Sequence, residues 1–361
     1  MTGEPLRTAF YDWHVANGGR MVDFAGWQMP IQYGNIIDEH RTIRTNVGLF
    51  DIAHMGRLFV SGPDAGSFLN HVVTIDVAKL KPGQVRYALV TNETGGVLDD
   101  VLVYCLDSEE FLVVVNASNR TKIVSWFESH LGQQDVTMAD RTLSDPMFAV
   151  QGPKSFDVVN SLVDLDLETL RYYRNAKTEL NGVSVLLSRT GYTGEDGFEI
   201  IAAADHVVGL WEHFDRLGVA ACGLGCRDTL RLEAGMPLYG HELSEDIDPI
   251  SAGLAFAVHL GSGVVGEAAL REVVDRGPER QRVGLMLEGR RVPREGCRVR
   301  VADQEVGEVT SGTFSPTLER PIAMAFVDTS AANVGSAVEI EVRNSRLPAT
   351  VCELPFYKRQ K

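Results

Sequence analysis

The sequence predicts an α+β protein that ends in a small β-barrel. Before residue 275, segments with strand alternation and segments with helical periodicity follow one another without a regular βαβ order. From Gln281 onward, short β-rich runs recur with Gly and Pro between them, a spacing that is typical of a small barrel. A chain of 361 residues exceeds the usual size of one hydrophobic core, so we expect two or three packed units.

The first strands of the α+β region form a predicted meander. Residues 87–91 and 97–104 read as two strands around a glycine-containing turn, and a third strand follows at residues 111–115. The pattern then becomes helical, with Ser118 as the predicted N-cap and an apolar stripe that begins at Ile123.

A second hairpin and two helices are predicted further along the chain. Strands at residues 183–188 and 198–202 flank a turn with three glycines at residues 191–197. A helix with one apolar side comes next, and a short apolar helix follows Arg227 and is stopped by Gly235.

The domain boundaries follow from these patterns. We expect the α+β region to span residues 1–275 and the barrel to span residues 276–361, with a linker at residues 275–279. The α+β region is expected to contain two subdomains, one of them formed around residues 56–135.

Composition limits the classes of partner. The 34 Lys+Arg and 49 Asp+Glu residues give a net charge of −15, which opposes binding to nucleic acid. Because no basic start precedes an apolar core and no apolar stretch approaches the roughly 20 residues of a membrane span, we expect a cytoplasmic protein without membrane contact. Five scattered cysteines suit reduced thiols better than disulfides.

Asp99 and Asp100 stand among apolar neighbours in the predicted strand at residues 97–104. Because side chains alternate along a strand, the two carboxylates point to opposite faces. Burying an ionised carboxylate without partners is costly, so at least one of the two needs a ligand or an internal donor. The pattern alone leaves two interpretations open: a functional carboxylate, or a turn-capping Asp beside a solvent-facing one.

Glu199 and Arg227 are two further candidates. Glu199 lies between Phe198 and Ile200, after a turn whose glycines allow a ligand to approach the backbone closely, but alternation alone favours a solvent-facing side chain. Arg227 could bind an anion or orient a carboxylate, although a structural ion pair is the default interpretation with Asp228 beside it.

Other conspicuous residues are predicted to be structural. His54 could act as a general base, but no Ser or Cys nucleophile elbow accompanies it, so a hydrogen-bonded structural histidine is favoured. Residues 261–266 read G-x-G-x-x-G, yet they lie late in the chain and precede β-rich sequence. Cys222 and Cys226 resemble half of a zinc site without a second pair, so we predict no metal. The seven arginines within residues 280–300 are expected to be a solvated barrel face, with docking of an acidic partner as the alternative.

Six motifs, in order along the whole chain, resemble the glycine cleavage T-protein family. They are MVDFAGWQMP at residues 21–30, FDIAHM at 50–55, TNETGGVLDD at 91–100, RTGYTGEDG at 189–197, GLGCRDTLRLEAG at 223–235 and TSGTFSP at 310–316. So many long matches in one order are specific to the family, whereas the Gly-Tyr-Thr-Gly turn alone would not be.

The resemblance implies a fold and a reaction. It implies folate-binding α+β subdomains arranged around a central channel, followed by the C-terminal barrel. The implied reaction moves the aminomethyl-derived one-carbon unit from the lipoyl arm of a partner H-protein to tetrahydrofolate, giving 5,10-methylenetetrahydrofolate, ammonia and dihydrolipoyl H-protein. Because the carbon is carried by the cofactors, the protein needs no nucleophile of its own.

The resemblance also implies site residues. Asp100, the second Asp of its motif, matches the family's catalytic carboxylate, which can accept a proton from a folate nitrogen and stabilise positive charge on the carbon under attack. Glu199 matches the pterin-recognising residue, since one carboxylate can accept two adjacent N–H donors. The other implied folate contacts are Arg227, Tyr192, Asn116, Tyr87 and Met55.

Two other functions are compatible with a folate-binding fold of this kind. Related folate domains occur in demethylases that act on N-methyl or S-methyl substrates, and those with a flavin step carry a separate oxidase region that this sequence lacks. Other relatives are folate-binding accessory proteins without transferase activity. Retention of both Asp100 and Glu199 within the full set of motifs favours the aminomethyltransferase.

Overall fold

The structure is a computed structural model that describes residues 4–343 and 345–359. The chain divides into two compact units. The first unit holds the chain up to Val72, Asp76–Ala88 and Val101–Arg227, and the second holds Val73–Ile75, Leu89–Asp100 and the chain from Asp228 onward.

Helices and strands mix without regular alternation, as predicted. The helices are α1 (Tyr11–Ala16), α2 (Ile36–Thr45), α3 (Ala65–Val72), α4 (Arg120–His130), α5 (Ser155–Asn160), α6 (Ala204–Arg216), α7 (Leu224–Glu233) and α8 (Glu267–Arg276). Short 3-10 turns lie at Val77–Lys79, Ala255–Ala257 and Thr329–Ala331. The strands are β1 (Leu6–Arg7), β2 (Arg20–Phe24), β3 (Trp27–Gln32), β4 (Gly48–Asp51), β5 (Gly56–Ser61), β6 (Val85–Thr91), β7 (Val97–Asp107), β8 (Glu110–Val115), β9 (Thr137–Asp140), β10 (Met147–Gln151), β11 (Asn175–Leu180), β12 (Val183–Ser188), β13 (Gly197–Ile201), β14 (Ala220–Ala221), β15 (Arg280–Leu287), β16 (Arg298–Val301), β17 (Gln304–Ser315), β18 (Arg320–Asp328), β19 (Ala337–Val342) and β20 (Ser345–Cys352).

A six-stranded sheet forms the larger core of the first unit. Its strand order is β11-β12-β13-β10-β4-β14, and β1, β3 and β2 form a separate small sheet. Helix α6 places Val207, Leu210, Trp211 and Phe214 at i, i+3, i+4 and i+7, so one buried stripe faces the core. Truncating an aromatic side chain in such a core costs about 3–5 kcal/mol.

The predicted meander belongs to a five-stranded sheet with the order β6-β7-β8-β5-β9. Its helices α3 and α4 bring Phe68 and Phe127 edge to face, with ring centroids 5.7 Å apart. Helix α4 begins after Asn119, which makes no side-chain cap, so the prediction of Ser118 as the N-cap is wrong. A local carbonyl-to-amide pattern starts this helix instead, since the Ile123 amide already donates to the Asn119 carbonyl at 2.8 Å.

The turn between β6 and β7 lies in the second unit. The Asn92 side-chain oxygen accepts the Gly96 amide at 2.9 Å, and Gly95 takes a φ of 83°, which favours glycine. A Cβ on Gly96 would collide with the Glu245 carbonyl oxygen, so this position also requires glycine. The predicted turn is therefore fixed both by its own backbone and by its neighbours.

The second unit ends in a closed six-stranded barrel, which confirms the predicted barrel fold. The strands follow the order β15-β18-β17-β16-β19-β20. Val283, Leu285 and Leu287 alternate along β15 and belong to the barrel core. Helix α8 ends at Arg276 and β15 begins at Arg280, so residues 277–279 of the predicted linker lie between them, whereas Asp275 and Arg276 belong to the helix. Within residues 4–343 and 345–359, no helix combines the length and apolar character needed to cross a membrane.

Candidate functional site

Glu199 lies in the middle of β13, which has five buried residues and neighbours on both sides. It is paired with Ser188 on β12 and with Ala149 on β10. The side chain is only 5% exposed, so the solvent-facing interpretation favoured by alternation is wrong. The alternation rule fails here because both faces of this central strand are covered.

Within the described residues, the hydrogen bonds to the Glu199 carboxylate reach one of its two oxygens. Oε2 accepts the Thr190 hydroxyl at 2.5 Å and the Tyr104 hydroxyl at 3.4 Å. No hydrogen bond from the described residues reaches Oε1. Burial raises the pKa of the Glu199 carboxyl, and the Thr190 hydrogen bond, the Arg227 charge and the Tyr104 hydrogen bond oppose that rise. The site thus holds a buried acid with an acceptor position still available.

Two hydroxyl groups bond Oε2 of Glu199, and a third hydroxyl, that of Ser188, contacts both of them. The Ser188 Oγ lies 2.9 Å from the Thr190 Oγ1 and 3.3 Å from the Tyr104 hydroxyl. We call Tyr104, Ser188 and Thr190 the hydroxyl triad. The sequence prediction missed all three. Tyr104 comes from another sheet, whereas Ser188 and Thr190 directly precede the recognised glycine-rich turn and could have been found from it.

The turn that follows Thr190 is held rigidly. The Gln151 side-chain amide donates to the Thr190 carbonyl at 3.0 Å and accepts the Thr193 hydroxyl at 2.9 Å. Arg189 and Asp196 close the turn by an ion pair of 2.5 Å. A Cβ on Gly191 would overlap the Gln151 side chain, which explains the glycine there. These contacts fix the half-buried Tyr192 at the tip.

Arg227 stacks on this turn from helix α7. Its guanidinium carbon lies 4.8 Å from the centre of the Tyr192 ring, a cation–π arrangement. Burial lowers the pKa of Arg227, while the nearby Glu199 and Tyr192 raise it. Its Nη1 is buried and has no hydrogen-bond partner in the part of the chain that the structure describes. Glu199, Tyr192 and Arg227 therefore lie close together within the first unit.

The structural ion pair favoured for Arg227 is wrong. Asp228 instead accepts a hydrogen bond from Arg231 at 2.8 Å, one helical turn further along α7. No carboxylate of the described chain lies within ion-pair distance of Arg227. Helix α7 also begins at Leu224, so Arg227 lies in its first turn rather than before it. The spacing rule failed because Arg227 and its sequence neighbour point in different directions on a helix.

Met55 and His54 lie on the short loop between β4 and β5. The buried Arg57 fixes this loop by donating to the carbonyls of Met55 at 2.6 Å, Ala53 at 3.0 Å and Thr142. His54 is 3% exposed, and its Nδ1 has no hydrogen-bond partner among the described residues, so the hydrogen-bonded interpretation is wrong. Burial and the Arg227 and Arg57 charges lower the pKa of His54 to about 4, against the pull of Asp51. The ring is therefore neutral at neutral pH.

The remaining predicted site residues are half-buried on strands of the five-stranded sheet or at its end. Tyr87 lies on β6, Asn116 follows β8 and Asp100 lies on β7. Asp99 is fully buried whereas Asp100 is partly exposed, which agrees with the predicted alternation of the pair. Asp100 belongs to the second unit, and the six other predicted site residues belong to the first.

A buried acid network that the sequence did not reveal lies in the first unit. Asp51 accepts the Thr8 hydroxyl at 2.7 Å, the His14 ring at 2.9 Å and the Ala53 amide at 2.8 Å. Burial opposes ionisation, but the hydrogen bond and charge of His14, the electrostatic influence of His54 and the hydrogen bond from Thr8 lower the pKa of Asp51 below its ordinary value. The network ties the N-terminal helix to the loop that carries His54.

Glu39, Cys222 and Cys226 form a compact donor group, with ligand atoms within 4.8 Å of one another. Both Glu39 oxygens already accept backbone amides, from Tyr33 at 2.7 Å and from Gly223 at 2.9 Å. Burial also raises the pKa of the Cys226 thiol, which opposes the thiolate that a metal requires. These donors therefore fit a packed, hydrogen-bonded interior better than a metal centre.

The G-x-G-x-x-G segment does not form a dinucleotide site. A 3-10 turn rather than a strand precedes it, and the amides of Gly261 and Gly263 donate to the Glu267 carboxylate at 2.8 and 2.7 Å. Arg271 pairs with that carboxylate at 2.5 Å. An open cavity of about 540 Å³ lies along this segment, yet its anion-binding amides are occupied by the chain itself.

The arginines of the barrel are partly neutralised within the second unit. Arg280, Arg298 and Arg300 pair with barrel acids at 3.2–3.3 Å. Arg282 donates to the carbonyls of Ala252 and Gly235 at 2.8 Å. These pairs are typical of a solvated barrel face that carries both positive and negative side chains. Docking of an acidic partner stays a prediction.

Comparisons with known proteins place these features in one family. Residues 10–262 match the GCVT N-terminal domain, and residues 280–358 match the glycine cleavage T-protein C-terminal barrel domain. An aminomethyltransferase of Streptomyces coelicolor is 47% identical over 99% of both chains, and one of Bacillus cereus is 43% identical over 98% of this chain and 99% of its own length. The crystal structure of the glycine cleavage system aminomethyltransferase T from Bartonella henselae superposes with a TM-score of 0.91 at 32% identity, covering 98% of each chain. The chain therefore belongs to the glycine cleavage T-protein family of aminomethyltransferases.

Proposed function

We propose that this chain transfers the aminomethyl-derived one-carbon unit from the lipoyl arm of an H-protein to tetrahydrofolate. The products are 5,10-methylenetetrahydrofolate, ammonia and dihydrolipoyl H-protein. The single observation that carries the proposal is the buried Glu199 carboxylate, which keeps an acceptor oxygen available in a chain of this family. The reaction needs no protein nucleophile, since the carbon is carried by the folate and the lipoyl arm.

Glu199 is proposed to orient the pterin ring. The pterin amino group and the adjacent ring N–H are two neighbouring donors, and an ionised carboxylate accepts such donors in charge-assisted hydrogen bonds. Arg227, whose buried Nη1 has no hydrogen-bond partner among residues 4–343 and 345–359, is proposed to donate to a folate acceptor while it stays stacked on Tyr192. Tyr87, Asn116 and Met55 are proposed as further folate contacts.

Asp100 is proposed as the catalytic acid–base group. A half-buried carboxylate can accept the proton of a folate nitrogen and stabilise the positive charge of the carbon as that nitrogen attacks it. Asp99 is fully buried on the other face of β7, so it is not proposed for this role. A group of this kind typically contributes roughly 10²–10⁴ in rate.

The test is single-turnover formation of methylenetetrahydrofolate from aminomethylated H-protein and tetrahydrofolate. We expect Asp100→Asn to slow transfer by at least about tenfold with folate affinity largely retained. Asp107→Asn, at the exposed end of the same strand, serves as the matched control and should transfer at the normal rate. An unimpaired rate in Asp100→Asn would remove Asp100 from catalysis.

The same assay separates the alternatives. Ammonia release that depends on folate supports the transferase. Formation of 5-methyltetrahydrofolate from an N-methyl or S-methyl substrate, with no methylenetetrahydrofolate from aminomethylated H-protein, would favour a demethylase. Folate binding without turnover of either substrate would favour an accessory role.

A further inference from the structure

Glu199 needs a device that keeps it ionised, because burial disfavours the charged form. We propose that the hydroxyl triad of Tyr104, Ser188 and Thr190 holds Glu199 as a carboxylate with Oε1 turned toward the ligand. The triad would thereby select ligands that present N–H donors. This inference rests on the proposed role of Glu199 in pterin recognition, and it adds three positioning residues to that site.

With Glu199 ionised, the hydrogen bonds of the triad run in one direction. Thr190 lies 2.5 Å from Oε2, and its single proton must point at the carboxylate because an ionised carboxylate only accepts. Thr190 then accepts from Ser188, whose hydroxyl is 2.9 Å away. Tyr104 donates its proton to Oε2 at 3.4 Å. Two hydroxyl protons therefore converge on one oxygen, and a third supports them from behind.

This arrangement fixes which oxygen remains for a ligand. With Oε2 engaged on its protein side, rotation of the carboxylate would break both the Thr190 and the Tyr104 contacts. Oε1 is left as the acceptor that meets an incoming N–H group. A ligand that offers a carbonyl or a ring nitrogen acceptor at this point would face an unpaired negative charge, which is costly in a buried site.

The charged and titratable groups around Glu199 come from three neighbouring segments. Arg227 on α7 favours the ionised form. The phenol of Tyr104 on β7 stays neutral because burial and Glu199 raise its pKa, and that of Tyr173 before β11 stays neutral because burial, Tyr172 and Glu199 raise its pKa. Burial raises the pKa of Glu199, and the Thr190 hydrogen bond is the largest influence that lowers it. Removing the Thr190 hydroxyl should therefore raise the pKa of Glu199 further.

The test compares Thr190→Val, which keeps the side-chain shape, with Thr190→Ser, which keeps the hydroxyl. Tetrahydrofolate affinity is measured by calorimetry across the acid to neutral range, and Glu199→Gln supplies the profile that lacks this titration. Affinity that requires an ionised Glu199 is full above its pKa and falls as the pH drops through it. We expect the midpoint of this fall to move upward by roughly one pH unit in Thr190→Val and to stay in place in Thr190→Ser.

A second readout makes the result independent of ligand binding. The carboxyl ¹³C resonance of Glu199, identified by its loss in Glu199→Gln, should titrate at a higher pH in Thr190→Val than in the unmodified chain. Tyr104→Phe should shift the midpoint in the same direction by less, since its hydrogen bond is longer.

Three outcomes are distinguishable. A pH midpoint of folate binding that moves upward in Thr190→Val and stays in place in Thr190→Ser supports the triad. Weak folate binding by Glu199→Gln, together with an unshifted Thr190→Val, overturns the triad and leaves the proposed function intact. Folate affinity unchanged in Glu199→Gln at every pH overturns pterin recognition by Glu199 itself.

Discussion

Glu199 in the first unit and Glu242 in the second are both buried acids, but their hydrogen bonding differs. Glu242 has both oxygens filled: Oε1 accepts Thr310 at 2.5 Å, and Oε2 accepts Arg231 at 2.9 Å and the Leu238 amide at 3.0 Å. Glu199, in the part of the chain that the structure describes, has donors on Oε2 alone. The hydrogen bonds of Glu242 therefore engage both of its carboxylate oxygens, whereas Glu199 keeps one oxygen as an acceptor for a ligand.

The nearby arginines show the same contrast. Arg231 donates to Asp228, to Glu242 and to the Ser311 hydroxyl, so its guanidinium is part of a filled cluster. Arg227 stacks on Tyr192 and keeps a buried Nη1 without a partner in the described chain. Burial and charge are therefore not enough to distinguish a charged side chain with a structural role from one that binds a ligand. The two differ in whether the chain itself satisfies their hydrogen-bonding groups.

The largest expected effect is on the filled cluster. Glu242→Ala leaves Arg231 buried without its main counter-charge, so we expect the free energy of unfolding to fall by about 3–5 kcal/mol, measured by urea denaturation. Glu308→Ala, at an exposed position of β17, should change it by less than about 0.5 kcal/mol. A Glu242 variant as stable as the Glu308 variant would contradict the structural role of the cluster.

The buried His54 in the first unit should make the stability of the protein depend on pH. Its pKa is lowered to about 4 in the folded chain, against about 6.5 when unfolded, so the unfolded state binds more protons between these values. Stability should therefore decline as the pH falls through this window, by about 3 kcal/mol once both states are protonated.

Urea denaturation at a series of pH values checks the His54 prediction. His54→Gln should reduce the loss of stability toward low pH, whereas His206→Gln, at an exposed position of α6, should leave it unchanged. Equal pH dependence in the two variants would show that His54 is not the group responsible.

Glu199→Gln should show the opposite balance from Glu242→Ala. Loss of charge-assisted hydrogen bonds should weaken tetrahydrofolate binding by about 10- to 100-fold, measured by calorimetry. The free energy of unfolding should change by less than about 1 kcal/mol, since a buried charge is also removed. A large loss of stability with normal folate affinity would make Glu199 a structural acid like Glu242.

The smallest effect is expected at the cation–π contact. Arg227→Lys keeps the charge but loses the planar group above Tyr192, so folate affinity should fall about threefold. Arg216→Lys, on the exposed side of α6, is the matched control for the same chemical change. Equal affinities in the two variants would show that the stacked geometry of Arg227 is not needed for binding.

Local patterns were enough to predict much of the fold. The hairpin of β12 and β13 and the barrel follow from alternation and turn residues, because these signals lie within a few residues of each other. The N-cap of α4 and the start of α7 were misplaced by one and several residues, as helix ends depend on backbone contacts that side-chain types do not specify.

The site was predicted less completely than the fold. Resemblance selected Glu199 and Arg227, while alternation and spacing alone favoured a solvent-facing acid and an ion pair. Tyr104 was missed because it reaches Glu199 from a strand 95 residues earlier in the chain. Nor could the sequence show that His54 Nδ1 has no partner among the described residues, since it shows which groups can form hydrogen bonds but not which ones do.

The most direct test removes one donor from the ligand and the acceptor from the protein. Tetrahydrofolate and an analogue without the pterin 2-amino group are each titrated into the unmodified chain and into Glu199→Ala. We expect the analogue to bind about tenfold more weakly than tetrahydrofolate to the unmodified chain, and the two ligands to bind Glu199→Ala almost equally. The same tenfold preference in both proteins would mean that the 2-amino group meets some other residue, and pterin recognition by Glu199 would be wrong.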